Sequence, residues 1–388
     1  MACKVALGDL CSRICSGGTP KSRVKAYYRG GDIPWLNTSE INFNRIRRTS
    51  NFITEEGFNN SSAKWVKSNA VIVAMYGATA GKVALAKIPL TTNQACCNLE
   101  INSDMADYQY VYYWLKEQGG RLSNLANGGA QQNLSAKTIQ NLQVDLPSLE
   151  IQKKVAVILS SIDDKIELNN QLNDYLEQLV DGKFQKLFGG LDFNATLSDV
   201  AKITMGQSPA GSSYNEEGAG TIFYQGRGEF GRRFPRRRLY TTEPKRLACE
   251  GDVLMSVRAP VGDLNIAFED CCIGRGLAAI HSETPSFVLY LMRSLKPRLD
   301  AYNEEGTVFG SISSKALKGL EVALPSHNEV MQFESFAAPI DALIRNNEKE
   351  TRKLNGLRDY LLPKLMSGEI DVSKIDITKP ANNHLADC

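Results

Sequence analysis

Between positions 227 and 246 the chain carries Arg227, Arg232, Arg233, Arg236, Arg237, Arg238, Lys245 and Arg246 against only Glu229 and Glu243, with Phe230, Phe234 and Tyr240 interleaved. A guanidinium is a planar fork of donors that matches phosphate oxygens and, bidentately, guanine O6 and N7. The aromatic neighbours can anchor such a segment or lie against sugar and base. Gly226, Gly228 and Gly231 favour a loop over a helix face here, and loops are what a rigid scaffold presents to a groove. A plain solvated charged surface is the alternative. A second, weaker basic group is Arg45, Arg47 and Arg48 after Asn42-Phe43-Asn44, with Lys21, Arg23 and Lys25 before it. Asn and Gln suit adenine N6 and N7, so Asn42, Asn44, Asn93 and Gln94 predict a more A·T-directed readout in this half. Two halves with different side chains should read different sequences.

Three further spots invite chemistry. Residues 77–83, GATAGKV, look like a phosphate-binding loop but have three residues between the glycines and Val83 after the lysine, where that loop needs four and a Ser or Thr. A tight turn whose Lys82 contacts backbone phosphate is expected instead, with Arg258 as its counterpart in residues 258–262. Arg275, between Gly274 and Gly276, stands where the earlier copy has Gln94 and suits base reading. The expected contacts with double-stranded DNA are therefore Lys21, Arg45, Arg47, Arg48, Lys82, Gln94, Arg227, Arg232, Arg233, Arg236, Arg237, Arg258 and Arg275. Catalysis is not expected. No two prolines adjoin, so the Asp/Asn-Pro-Pro-Tyr/Phe type of motif of DNA amino-methyltransferases is missing. There is no convincing strand, Gly-rich loop and helix unit for a nucleotide cofactor. His281, His327 and His384 are scattered and no Cys-x-x-Cys occurs, so no structural zinc and no cofactor is expected. The adjacent pairs Cys96-Cys97 and Cys271-Cys272, at nearly equivalent places in the two halves, read as buried strand positions of a reducing compartment.

The elements that must hold these residues occur twice. Leu134-Ser135 answers Ile312-Ser313, Leu146-Pro147 answers Leu324-Pro325, Asp163 answers Asp341, Ile166 answers Ile344 and Leu179 answers Leu357, all 178 positions apart. Upstream the offset is 181 (Gly81 with Gly262, Gln94 with Arg275) and then 189 (Gly17 with Gly206, Ile33 with Ile222), as loop insertions would cause. Solenoid units run about 20 to 50 residues, so this long period means two copies of a whole domain plus helix. Each copy opens with a short amphipathic segment (5–14, 197–203) and a Gly/Ser/Pro turn (16–20, 205–209). β-rich stretches follow (33–36 and 71–76; 222–225 and 253–257), then a helix (108–118, 285–295). After Leu146-Pro147 and Leu324-Pro325 about 40 residues turn helical in each copy, and apolar residues form one narrow stripe. Its members are Ile151, Val155, Ile158, Ile162, Ile166, Leu172, Leu176 and Leu179 in the first copy, and Val330, Phe333, Phe336, Ile340, Ile344, Leu354, Leu357 and Leu361 in the second. Pro339 falls opposite Ser161, and Ser161 with Asp164 has the spacing of a capping box, so each copy is expected to break into a short and a longer helix there. Residues 340–366 would span about 40 Å. Antiparallel pairing of such helices would hold the domains at opposite ends of a rod comparable to the 34–36 Å separating DNA half-sites one turn apart.

At 388 residues, with 43% apolar and 23% charged residues and a net charge of +2, the composition is that of an ordinary two-domain globular protein. No stretch approaches the roughly 20 apolar residues of a membrane span, and residues 1–10 lack the apolar core of a signal peptide, so a cytoplasmic protein is expected. The chain as a whole resembles the specificity subunit of Type I restriction-modification systems. The marks are residues 146–155 (LPSLEIQKKV) leading into IDDKI at 162–166, LRDYLLPKLMSGE at 357–369, and the turns at 76–83 and 256–262. HNEV at 327–330 departs from the family's usual Leu-x-Glu-Gln-like stretch. The resemblance implies a mixed α/β fold of two repeated α+β target recognition domains separated by two long helices that form an antiparallel, pseudo-twofold coiled coil. The domains would be 1–147 and 190–325, the helical regions 148–189 and 326–368, and 369–388 a mobile tail. It further implies that each domain reads half of an interrupted DNA target and that the helices dock two DNA adenine methyltransferase subunits, with restriction subunits outside. Ile151, Val155, Ile166, Leu172, Leu176, Ile344, Leu354, Leu357 and Leu361 would serve that docking. The competing readings are a coiled-coil scaffold joining two protein-binding domains and a stand-alone modification enzyme.

Overall fold

The computed structural model describes residues 3–127, 134–304 and 310–375. The chain divides into two compact units, residues 1–167 with 351–388, and residues 168–350. Each long helix is shared between them.

In the first unit a five-stranded sheet has the order Cys11–Ser16, Cys96–Ile101, Val71–Ala74, Val83–Ala86, Asn44–Ile46, and a four-stranded sheet the order Asn51–Ile53, Ile33–Leu36, Leu90–Thr92, Trp65–Val66. The period-2 rule explains how the sequence VIVA becomes a central strand buried on both faces. Val71 and Val73 join a core with the helix Tyr108–Glu117, while Ile72 and Ala74 join a second core with Leu36, Leu90 and Cys96. Neighbouring Val83–Ala86 divides the same way. The second unit repeats the plan. Its sheets run Lys202–Met205, Leu277–His281, Val253–Ser256, Leu264–Ile266 and Tyr214–Asn215, Leu239–Thr241, Thr221–Tyr224, Cys271–Ile273, Leu247–Ala248. Val253 and Met255 face the helix Pro285–Ser294, and Leu254 faces the other sheet. In both units the two sheets carry one matching parallel pairing, Ile33–Leu36 beside Leu90–Thr92 and Thr221–Tyr224 beside Cys271–Ile273.

Four expectations are corrected. The helical regions do not break: Leu149–Phe188 and His327–Met366 are each continuous over 40 residues. Pro339 lies on the exposed side, so the carbonyl it orphans can be hydrated, while Phe333, Ala337 and Ile344 pack on either side of it. Ser161 caps nothing; its hydroxyl donates to the Ile158 carbonyl at 2.8 Å, one turn back in the same helix. The cysteine pairs are buried strand residues, but not at equivalent places. Cys96-Cys97 open the strand answering Leu277–His281, whereas Cys271-Cys272 open the one answering Leu90–Thr92. Finally, the segment from 369 packs at first: Val372 is buried in the first core and Ser373 O accepts from Lys154 Nζ at 2.6 Å. The remainder of the expected mobile tail, 376–388, lies outside the described residues.

Within the second unit the two helix segments run antiparallel. Asn347 Nδ2 donates to Asn173 Oδ1 at 2.8 Å and Asn169 Nδ2 to Glu350 Oε2 at 2.8 Å, while Phe184 stacks edge-on with Phe333 further along. In the first unit Leu362 and Leu365 share a core with Val155, Ala156 and Leu159, and Arg358 Nη1 donates to Asp163 at 3.0 Å. Val155 and Ile344 are buried in these contacts.

Candidate nucleic-acid interface

Two of the arginines singled out by charge are not surface residues. Arg45 lies on the edge strand Asn44–Ile46, its side chain only 3% exposed, and donates to Tyr113 Oη at 3.3 Å and Ser160 O at 3.3 Å while pairing with Asp164 and Glu167 of the first long helix. Tyr113 in turn donates to Asp163 at 2.7 Å. In the second unit Arg233, 7% exposed, pairs with Asp341 and, at 3.2 Å, with Glu177. Tyr290 donates to Asp341 at 3.2 Å. Arg233 O receives the Ile266 N–H on the strand that answers the partner strand of Arg45. The two groups are thus one device built twice: an arginine, from an edge strand in the first unit and a loop in the second, a helix tyrosine and a long-helix aspartate. Burial raises both phenols, which remain donors to the carboxylates. An arginine enclosed in this way is spent on holding its own domain to the helix and cannot reach a phosphate. Arg45 and Arg233 are therefore corrected from DNA contacts to anchors.

The remaining loop arginines are exposed but mostly engaged. Arg232 pairs with Asp174, Arg237 makes a two-pronged contact with Glu269 at 2.6 and 2.7 Å, Arg238 meets Glu229 at 2.6 Å, and Arg227 pairs with Asp263. Arg47 binds Glu167 at 2.7 Å and Lys82 donates to Asn42 Oδ1 at 2.9 Å. Lys21, Arg48, Arg236, Arg258, Arg275 and Gln94 are exposed. Surface pairs of this kind are worth about 0–1 kcal/mol, so an arriving phosphate can displace them.

The best-formed presentation surface is where three loops converge. In the second unit Gly206, Gln225 and the Gly274-Arg275-Gly276 turn meet: Gln207 N donates to Ile273 O at 3.0 Å and Gly274 N to Tyr224 O at 2.8 Å. A Cβ on Gly206 would sit 2.1 Å from Gly274 O, so only glycine lets the backbones close. The tight backbone leaves Gln207, Gln225, Arg227 and Arg275 exposed at the rim. The first unit closes the same way, with Gly18 N bonded to Thr92 O at 2.9 Å and a Gly17 Cβ position 2.0 Å from Thr92 O. Its rim carries Gln94, which accepts from the Thr19 hydroxyl. Of the asparagines expected to read A·T, Asn93 bonds Asn37 at 2.9 Å and the Ala95 N–H at 3.1 Å, and Asn44 bonds Glu40 O at 3.1 Å. Both stabilise turns. Gln207 and Gln225, which charge counting does not single out, are exposed at this rim beside the turn and the strand located in the sequence.

On the helices the apolar stripe splits. Ile151, Ile166, Leu176, Leu354 and Leu361 are partly buried, and Leu172 and Leu357 are exposed. In the second unit Leu168, Leu172, Tyr175 and Leu179 follow one another at steps of four, three and four, all exposed, with Tyr175 at 69%. This is one helix face without a partner among the described residues. A separate cluster, Cys249, Asp252 and His281, is the one group of three or more metal-capable side chains among the described residues. Among the described residues no helix is long and apolar enough to cross a membrane.

Comparison with known proteins places these features. Residues 3–178 match the family model described as the Type I restriction modification DNA specificity domain. A Methanocaldococcus jannaschii protein named for the type I restriction enzyme MjaX specificity subunit is 34% identical over 301 residues, covering 71% of each chain. The MjaIX specificity subunit of the same organism is 26% identical over 408 residues, covering 93% of this chain and 92% of its own. The fold is similar to that of the type I restriction-modification S subunit from M. genitalium, with a TM-score of 0.60 at 19% identity over 94% of this chain and 95% of that one. A twice-built α/β unit on long helices, with full-length similarity of this kind, assigns the chain to the specificity subunits of type I restriction-modification systems.

Proposed function

We propose that each unit reads one half of an interrupted duplex DNA target and that the exposed helix face carrying Leu168, Leu172, Tyr175 and Leu179 receives a DNA adenine methyltransferase subunit. On this reading the full complex has two such subunits, with restriction subunits outside them. The chain selects the sequence and performs no reaction itself, and it acts in the cytoplasm. The observation that carries the reading is the pair of glycine-closed loop tips. They share backbone geometry and differ in rim chemistry, Gln94 in one and Gln207, Gln225 and Arg275 in the other. Equal scaffolds with unequal tips suit a two-part target, because arginine favours guanine and glutamine adenine.

The test is co-expression with the candidate methyltransferase, followed by mapping of methylated adenine by long-read sequencing, with and without this chain. An interrupted motif that appears only with the chain supports the reading. A stable complex with unchanged methylation would replace it by a protein-interaction scaffold, and methyl transfer from S-adenosylmethionine by the purified chain alone would replace it by an enzyme.

A further inference from the structure

The turn from Cys249 to Asp252 and the end of the strand Leu277–His281 bring a thiol, a carboxylate and an imidazole together in the second unit. Their ligand atoms all lie within 4.8 Å of one another. The backbone dictates the meeting. Asp252 N donates to Cys249 O at 3.1 Å and Gly251 has φ 90°, the signature of a tight turn with a left-handed third residue. Pairing of Val253 with Ile280 sets Asp252 beside His281, whose Nδ1 is 2.6 Å from Asp252 Oδ1. The Cys249 N–H holds the other carboxylate oxygen at 2.9 Å.

The first unit builds the same turn with other side chains. Ala70 N donates to Lys67 O at 3.3 Å, Asn69 has φ 68°, and Asn69 N bonds Ala86 O at 2.7 Å as Gly251 N bonds Ala267 O at 2.9 Å. Pairing of Val71 with Leu99 puts Glu100 where the second unit has His281. There the turn is closed by ion pairs, Lys67 with Glu100 at 3.8 Å and Arg13 with Glu100 at 3.1 Å. An ion pair needs only opposite charges. The second unit instead converges three different metal-binding atoms on this spot, and a thiol adds nothing to an Asp–His pair.

We propose that Cys249, Asp252 and His281 form a zinc-type divalent metal site, with a fourth position open to water. Zinc takes thiolate sulfur at about 2.3 Å, imidazole nitrogen at about 2.0–2.1 Å and carboxylate oxygen at about 2.0–2.2 Å. Tetrahedral geometry then sets the ligand atoms about 3.3–3.8 Å apart. His281 must swing away from Asp252 and Cys249 must close in. Both side chains are exposed and turn on single bonds, while buried Asp252 stays fixed. The thiolate selects against magnesium and calcium. On binding, the Cys249 thiol releases its proton to solvent and its sulfur lone pair forms the bond to the metal. Glu250 in the same turn pairs with Arg345 of the second long helix, so the metal would clamp the stretch that this domain lays against that helix.

Zinc uptake by the purified full-length chain, measured by competition against a chromophoric chelator, should saturate at one ion per chain. Cys249→Ser and His281→Ala should each weaken it at least tenfold while retaining the metal-free melting temperature. Cobalt substitution should show thiolate-to-metal charge transfer in the parent chain and none in Cys249→Ser. The assignment is overturned if the parent takes up no zinc, if the variants bind it as the parent does, or if the cobalt complex lacks the thiolate band.

Discussion

Replacing Arg233 by alanine removes the cation between Asp341 and Glu177; Glu177 keeps Arg293 at 3.1 Å, but Asp341 is left with the Tyr290 hydroxyl alone among the contacts of this site. Removing one member of a buried ion pair costs about 3–5 kcal/mol, so Arg233→Ala is expected to lower the unfolding free energy measured by urea titration by an amount of that order. Arg275→Ala, at an exposed rim position, should leave stability within about 0.5 kcal/mol. It should instead cost about 1–3 kcal/mol of discrimination at one base pair, seen as a relaxed methylation motif. A stable Arg233→Ala chain with lost DNA binding would return that arginine to the interface. Lys116 offers a pH test. Burial pushes its ammonium down to about 8 despite nearby Asp163. Because the folded value lies below the unfolded one, the unfolded chain holds the extra proton between about pH 8 and 10.5. The buried charge therefore penalises folding fully below pH 8, and the penalty fades as pH rises through that window. Lys116→Met should melt a few degrees higher than the parent at pH 7, with the gap shrinking by pH 10; a gap independent of pH would refute it. Charge counting picks out a segment that is largely loop in the structure but cannot separate Arg233 from Arg232 or Arg236. The separation depends on which loop residue meets Asp341, a contact 108 positions away.

Where the two helix segments meet in the second unit, Asn169, Asn173 and Asn347 are buried. Buried amides in a helix seam cost stability relative to leucine and fix register, since a shifted pairing would leave them unsatisfied. Asn173→Leu combined with Asn347→Leu is expected to raise the melting temperature while loosening register. Cysteine pairs introduced at neighbouring seam positions should then cross-link in more than one combination, and a single preserved combination would show that apolar packing alone sets the register. The helices themselves were legible from their apolar stripe and matched lengths. Their continuity was not, because a proline's effect depends on which side of the helix it occupies, and Pro339 faces outward. Nor does a stripe reveal its own division of labour. Val155 and Ile344 pack inward while Leu172 and Leu357 stay exposed, a distinction made by the domains that cover part of each helix. Capping shows the same limit. Asp107 caps its helix through the Gln109 and Tyr110 N–H groups, whereas the matching helix is capped from outside by Glu334, which accepts from the Ser286 and Phe287 N–H groups.

Across the molecule, duplication with divergence makes the two recognition surfaces separable. Each unit has its own pair of sheets, its own cores and its own arginine–tyrosine–aspartate anchor, so changing one loop tip leaves the other's scaffold untouched. Gln94→Ala and Arg275→Ala should therefore relax opposite halves of the methylated motif, and replacing residues 190–325 by the equivalent stretch of a relative should change one half alone. On the proposed reading, affinity common to both halves comes from phosphate contacts. If about six lysines and arginines meet phosphates, the logarithm of affinity should fall with the logarithm of salt concentration at a slope near −5. Converting the exposed Arg236 to alanine should flatten that slope by about one without altering the motif. A slope near zero would overturn the phosphate contacts, and relaxation of the same half by Gln94→Ala and Arg275→Ala would mean that the loop tips do not divide the target between them.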